Sequence, residues 1–353
     1  MGAMARAIKA KWIAEPLPPP GSFKNQTILV TGGTSGLGLA FAVHVLNLGA
    51  KEVIITARNL PRGEDAKKKI EAETRTSGKV TVMTLVMDDY SSIVSFAEQL
   101  KGKYSNNGGL DFIVLNAGIT NPAFVKSRAG WEESIQINAI STVLLAILLL
   151  PWMKKLAGQR QTPAHMTFVG SGQHTDPNVQ EWLPYFDKEG GVLAHFNKPE
   201  NWPTYNINAM YGITKLILMY ATYELCKLAL GPDGQPQVII NTVCPGLVST
   251  NLSHSMEAHS LALRVIAPIF KAVLSKSPDS GARVYLAAGL TGKEGHGKFI
   301  RFYLTDEEYN ARAAPVFTSD AGRKVQSLVW KELVGILGAQ VPEIKPIIAS
   351  LTG

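Results

Sequence analysis

A chain of 353 residues with 46% hydrophobic and 18% charged side chains can bury a sizeable core, as one large domain or two ordinary ones. Its formal net charge of +7 is scattered and includes no dense Lys/Arg run, which argues against a nucleic-acid footprint. The two cysteines, Cys226 and Cys244, lack metal-ligand spacing and cannot build a disulfide framework, so no metal site is expected and a reducing, cytoplasmic setting fits.

In chain order, Met1 to Pro20 hold no apolar signal-peptide core. Residues 1–21, proline-rich from Glu15 onward, are expected as an extended arm, and residues 22–340 as the folded domain. Gln26 to Thr31 is a short apolar, β-branched run that predicts a buried parallel strand. It leads into Gly32-Gly-Thr34-Ser35-Gly36-Leu37-Gly38, with a helical pattern from Leu39 to Leu48 behind it. Glycines at such a turn let backbone amides approach a pyrophosphate, which the helix N-terminus then favours. The spacing is Gly-x-x-x-Gly-x-Gly, which departs from the general dinucleotide fingerprint.

A second strand, Glu52 to Ala57, ends in Arg58-Asn59, where a carboxylate would hold the ribose hydroxyls of NAD. An Arg there suits the 2'-phosphate of NADP, and the bland alternative is a solvated surface Arg. Helix is expected over Pro61 to Arg75, strand over Val80 to Met87, and helix over Ser91 to Lys103. The fourth strand, Asp111 to Leu115, delivers Asn116-Ala117-Gly118 to the sheet end that binds ligands in open α/β folds. A long helix is expected from Trp131 to Leu150. Its apolar run Thr142 to Trp152 reads as a buried helix that ends at Pro151 and is too short to span a bilayer. Asn138 within it needs partners if buried, whether functional or local.

After a fifth strand, His165 to Val169, and Gly170-Ser171, residues 172–210 form a turn- and aromatic-rich insertion expected to line or cover a pocket. Neither His174 nor His195 has a carboxylate at triad or metal spacing. Tyr211-Gly-Ile-Thr-Lys215 then opens a helix that runs to Leu230, with a phenol and an ammonium on one face four residues apart. Alone, that spacing occurs on many helices; here it makes a candidate general acid/base, with Lys215 lowering the pKa of Tyr211. The remainder predicts a strand at Val238 to Val243, Cys244-Pro245-Gly246 at its end, a substrate lid over 247–275 with an amphipathic helix from Leu261 to Leu274, and a helix over Asp279 to Leu290. A last strand at Lys298 to Tyr303, a helix from Ala321 to Leu337 and a loosely held tail over 341–353 follow. Alternating strands and helices argue for an α/β, Rossmann-type doubly wound parallel sheet in a single domain.

Thr31-Gly-Gly-Thr-Ser-Gly-Leu-Gly38, Asn116-Ala-Gly118, Asn138, Ser171, Tyr211-x-x-x-Lys215 and Pro245-Gly246 occur in the order seen in short-chain dehydrogenases/reductases. Residues 22 to 305 resemble that family. Ala57-Arg58-Asn59 and Val329-Trp-Lys-Glu-Leu333 are similar to its retinol-dehydrogenase-like members common in fungi. The resemblance implies that Tyr211 is the acid/base, that Lys215 lowers its pKa and holds the nicotinamide ribose, that Ser171 binds the substrate oxygen, and that Asn138 positions a relay water. It implies a pyrophosphate turn of Gly32, Gly36 and Gly38, with Thr34 and Leu37 beside it, Ser35 and Arg58 facing the 2'-phosphate, and Asn116, Ala117 and Gly118 flanking the adenosine side. Pro245, Gly246, Val248 and Thr250 would border the nicotinamide end.

Two features depart from the pattern. Val86 stands where the family commonly has an adenine-contacting Asp, which leaves Asp88 as a substitute candidate. The step of 40 positions from Ser171 to Tyr211 is much longer than in compact members. Similar insertions occur in carbonyl-reductase-like members that act as monomers on bulky substrates, so both monomer and homodimer stay open. The expected activity is NADPH-dependent reduction of a ketone or aldehyde on a bulky apolar small molecule, such as a secondary metabolite. NADP-linked alcohol oxidation and a non-catalytic dinucleotide-binding scaffold are the alternatives.

Overall fold

The computed structural model describes residues 15–204, 206, 208–249 and 275–352. Its centre is a parallel sheet of seven strands: β1 Thr27–Val30, β2 Glu52–Ala57, β3 Val80–Thr84, β4 Phe112–Leu115, β5 Ala164–Val169, β6 Val238–Val243 and β7 Phe299–Ile300. They lie in the order β3-β2-β1-β4-β5-β6-β7. The register runs Ile28 against Val53 on one side of β1 and against Phe112 on the other. Every residue of β1, β4, β5 and β6 is buried, which is why these strands read as unbroken apolar runs.

Helices cover both faces. One face carries α1 Gly36–Asn47 and α2 Leu60–Thr74, together with a helix from the C-terminal half, Pro278–Gly289. Their core is built on Phe41, Phe112 and Tyr285, with the ring of Phe41 5.6 Å from Phe112 and 5.7 Å from Tyr285. The other face carries α3 Tyr90–Tyr104, α4 Glu133–Ala157 and α7 Ala209–Leu228, with the insertion helices α5 Leu183–Lys188 and α6 Val192–Phe196 outside them. The helix Pro278–Gly289 is α8, and α9 Asp306–Phe317, α10 Asp320–Gln340 and α11 Ile344–Thr352 complete the chain. Since β1 is flanked by β2 and β4, strand order reverses beside its C-terminal end, and the crevice opens there.

Several sequence expectations are corrected. The apolar run does not end at Pro151, because α4 continues through it to Ala157. A proline inside a helix costs about 3 kcal/mol. Trp152, Met153 and Leu156 are all buried beyond it, at about 1.5–3 kcal/mol each, so continuation wins. The helix is 25 residues long and apolar enough to cross a membrane; 94% of its most apolar window lies buried inside the protein itself. It starts at Glu133 rather than Trp131, and Gln136–Ser141 form a π-helical turn. Such a turn shifts the backbone ladder, and the hydroxyl of Thr142 answers by donating to the carbonyl of Ile137 (2.8 Å).

The third strand stops at Thr84 and the last one covers only Phe299–Ile300. Helix α9 was not expected, although Thr305 and Glu308 carry a complete capping box that the sequence displays. Nor is the tail loosely held: α11 packs on α4, with Ile344 fully buried. Its Ile344, Ile347, Ile348 and Leu351 follow helical spacing, and Pro346 sits in the first turn, where it is tolerated. Of the proposed arm and lid, residues 1–14 and 250–274 lie outside the described residues, including the helix expected from Leu261 to Leu274.

Candidate active site

The glycine turn leaves β1 and opens α1. Gly32 (φ +67°) and Gly36 (φ +55°) occupy the left-handed region, which side chains rarely adopt. Gly38 meets a different demand: a Cβ there would stand 2.5 Å from the carbonyl oxygen of Gly32 and 2.8 Å from Asn116 Nδ2. Ser35 is the N-cap of α1 but makes no side-chain bond to it, so the amides of the first turn keep no side-chain cap. Uncapped amides over a glycine turn at the sheet's C-terminal edge are the donor set that a pyrophosphate fits. Thr34 and Leu37 lie half-buried in the same turn, and the side chains of Leu37 and Val248 stand 2.8 and 2.7 Å from where a Cβ on Gly281 of α8 would lie.

Asn116 ties the turn to β4. Its Nδ2 donates to the carbonyls of Thr31 (2.8 Å) and Gly32 (3.3 Å), and its Oδ1 accepts from the hydroxyl of Tyr285 (2.9 Å). Thr31 Oγ1 in turn accepts from the amides of Asn116 and Ala117, both at 2.9 Å. The side chain of Asn116 thus acts first as a clamp. Thr31 and Tyr285 complete it, and neither role was legible: Tyr285 lies 169 positions from Asn116. The only signal at Thr31 is a hydroxyl at the end of an apolar strand.

Tyr211 and Lys215 lie in the first two turns of α7. Lys215 Nζ stands 5.4 Å from the centroid of the Tyr211 ring and donates to the carbonyl of Val169 at the end of β5 (2.7 Å). Gly212 lets the helix approach the Ser171 loop, since a Cβ there would lie 3.0 Å from Gln173 O. Ser171 stands next to Tyr211, and its hydroxyl acts to lower the phenol's pKa. Asn138 is buried in the π-turn: its Oδ1 accepts from Ile119 N (2.8 Å), and its Nδ2 donates to Ile119 O (2.8 Å) and Thr214 Oγ1 (3.1 Å). Gly118 closes the group, 3.1 Å from Asn138 Oδ1 and 3.7 Å from Lys215 Nζ as measured from the position of a Cβ.

The electrostatics differ from the expected lowering of the phenol. Desolvation pushes the Tyr211 phenol up, nearby Cys244 adds to this, and the Ser171 hydroxyl only partly opposes it. Burial likewise pulls the Lys215 ammonium down to about 8. Desolvation therefore outweighs the four-residue spacing, and Tyr211 holds its proton at neutral pH.

The remaining candidates are placed unequally. Arg58 is exposed beyond the C-terminal end of β2, just before Asn59, which caps α2 by accepting from Arg62 N (3.1 Å). Asp88 is turned to Arg128, with Oδ2 3.7 Å from Nε, while its neighbour Asp89 caps α3. Pro245 and Gly246 (φ +78°) follow β6, and a Cβ on Gly246 would stand 3.9 Å from the Tyr303 ring. Thr250 lies outside the described residues. Sequence reasoning missed Cys244, whose thiol lies beside the catalytic candidates. No spacing rule singles out one buried cysteine.

A doubly wound sheet with a glycine turn at its switch point, facing half-buried Tyr211 and Ser171 and buried Lys215, defines a dinucleotide-binding α/β protein equipped for proton transfer. A family profile described as short chain dehydrogenase matches residues 26–185. The short-chain dehydrogenase/reductase ffsI of Aspergillus flavipes is 33% identical over 97% of this chain and 96% of its own. The short-chain dehydrogenase/reductase phmF of Phaeosphaeria nodorum is 31% identical over 94% and 91%. Among solved structures, levodione reductase superposes with a TM-score of 0.59 at 17% identity, covering 79% of this chain and 96% of that one. A Shigella flexneri short chain dehydrogenase complexed with NADP gives 0.53 at 18% identity, covering 79% and 98%. The chain belongs to the short-chain dehydrogenase/reductase family, and is an oxidoreductase of that kind.

Proposed function

We propose that the protein reduces a ketone or aldehyde on a bulky, apolar small molecule of secondary metabolism, using NADPH, with Tyr211 as general acid. The observation that carries this reading is the grouping of half-buried Tyr211 and Ser171 over buried Lys215, whose Nζ is fixed on Val169 O 5.4 Å from the Tyr211 ring, with desolvation keeping the phenol protonated. A phenol that keeps its proton is equipped to give it to a carbonyl oxygen, and so favours the reductive direction. The Ser171 hydroxyl would hold that oxygen while negative charge builds on it. Lys215, fixed on Val169 O, would keep positive charge beneath the phenol and reach the ribose of the cofactor. Asn138, bonded to Ile119 and Thr214, would fix the floor of the site beside Lys215.

Gly32, Thr34, Ser35, Gly36, Leu37 and Gly38 would receive the pyrophosphate, with Asn116, Ala117, Gly118, Pro245, Gly246 and Val248 along the rest of the dinucleotide. The dinucleotide supplies the hydride. Arg58 would meet the 2'-phosphate: it is exposed, and it occupies the strand end where a carboxylate would instead select NAD. The bulky-substrate part rests on the packed insertion, where Trp182, Tyr185, Phe196 and Trp202 border a cavity of about 510 Å³. A reducing, cytoplasmic setting is supported by Cys226 and Cys244, both free and buried.

Titration of the purified protein with NADPH and NADH tests the cofactor assignment. Wild type should prefer NADPH by about tenfold or more, about 1.4 kcal/mol, and Arg58→Ala should erase most of that preference. Equal binding of both cofactors by wild type would remove the role of Arg58.

A further inference from the structure

Resting on the reading of Ser171 as the group that holds the substrate oxygen, we propose that the segment 299–309 aims it. Tyr303 and Tyr309 act as positioning residues that, through Cys244 and His174, pin the Ser171–Gly172 peptide.

Both sides of that peptide are held. The carbonyl of Ser171 accepts from the backbone N–H of His174 (3.2 Å) and pairs with His174 Nδ1 (2.6 Å). A carbonyl can only accept, so Nδ1 carries the proton. His174 is fully buried, and burial pulls its imidazole down to about 4, so the ring is neutral at physiological pH. Nε2 is then an acceptor, and the hydroxyl of Tyr309 lies 3.1 Å from it. The imidazole is wedged edge-on against Phe299 (4.8 Å) and Phe317 (5.8 Å), which leaves it no room to turn.

The amide side mirrors this arrangement. Gly172 N–H donates to Cys244 Sγ (3.3 Å), and the hydroxyl of Tyr303 donates to the same sulfur (3.1 Å). Tyr303 reaches it only because residue 172 is glycine: a Cβ there would stand 2.5 Å from the Tyr303 hydroxyl oxygen. The segment bearing both tyrosines is itself stiff. Arg301 lies over the Tyr309 ring (4.2 Å) and donates to the carbonyls of Phe299 (2.7 Å) and Thr305 (2.8 Å). Thr305 opens α9 with its capping box. The loop that presents Ser171 to Tyr211 is therefore set by residues more than a hundred positions away in sequence. Each anchor is a partly buried hydrogen bond, and a partner left unmet there carries a cost.

Amide hydrogen exchange at Gly172 in the full-length protein, with nothing added, tests the anchoring. Cys244→Ala should raise that exchange rate at least about tenfold and Tyr303→Phe about threefold or more, with amides of β5 and α7 changing by less than about twofold. Cys244→Ser, which restores an acceptor, should recover most of the protection. Unchanged exchange at Gly172 in both variants, or an equal rise across the whole chain, would overturn the proposal. Aim is read separately with NADPH and 9,10-phenanthrenequinone as the carbonyl probe. Tyr309→Phe should lower kcat about fivefold while the Kd for NADPH holds within about twofold; equal kcat would overturn the aiming role. A wild type that oxidises no NADPH with the quinone would count against the reductase reading, and the exchange result would still decide the anchoring.

Discussion

At Tyr211 two influences oppose each other, and burial prevails: the phenol is raised and the Lys215 ammonium is lowered to about 8. If Lys215 must stay charged for turnover, reduction should hold steady at neutral pH and fall as pH rises through about 8; a kcat/KM profile flat to pH 10 would remove that requirement. His174 offers a second pH handle. Its folded value, about 4, lies below the ordinary 6.5, so between those two the unfolded chain binds a proton that the folded chain lacks. Stability should therefore drop as pH falls across that window, by up to about 3 kcal/mol. Urea unfolding of wild type and His174→Gln at pH 7 and pH 4.5 checks this: the variant, whatever its own stability, should lack that part of the acid-induced loss. The Tyr211–Lys215 pair was legible because a helix puts residues four apart on one face, and the glycine turn because strand, glycines and helix follow one another directly. The anchors on Cys244 and His174 were not, because a tyrosine or a cysteine carries no local pattern that names a distant partner.

Among the elements, the glycine turn and the insertion show two ways of fixing a loop. Gly38→Ala would place a methyl 2.5 Å from backbone that cannot yield, so the turn must open. The expected result is loss of NADPH binding by at least about tenfold, with a stability cost of about 1–3 kcal/mol, read by fluorescence titration and thermal melting. The insertion is pinned from outside by Glu332 of α10, whose carboxylate accepts from the amides of Val192 and Ala194, both at 2.9 Å. Burial pushes that carboxyl up to about 7. Glu332→Ala strips these acceptors and should cost about 1–3 kcal/mol, whereas Glu332→Gln, which keeps an acceptor oxygen, should cost less. The aromatic content of residues 172–210 signalled a packed insertion. That α10 holds it was hidden, because the carboxylate lies 140 positions beyond the amide it receives. The π-turn at Gln136–Ser141 was equally hidden: apolar periodicity marks a helix without reporting where its ladder shifts.

On the scale of the whole molecule, the C-terminal helices decide which faces remain for a partner. The apolar surface of α4 is covered by α11 and by neighbouring helices of the same chain. We expect the protein to run as a monomer in light scattering. Removal of residues 341–353 should expose Leu and Ile side chains of α4 and produce association or a lower melting temperature; an unaffected monomer would show that α11 is dispensable. The doubly wound parallel sheet was readable from the alternation of strand and helix, and so was a helix over Ala321 to Leu337, whereas the docking of α11 was not, since a tail with two prolines gives little sign of what it docks against. The central claim is that half-buried, protonated Tyr211 delivers the proton in an NADPH-driven reduction. Its most direct test is the rate of NADPH oxidation by wild type and Tyr211→Phe with bulky aromatic ketones and quinones. The expected result is turnover by wild type and a loss of roughly 10²–10⁴-fold in the variant with NADPH affinity unchanged; a variant as fast as wild type would contradict it.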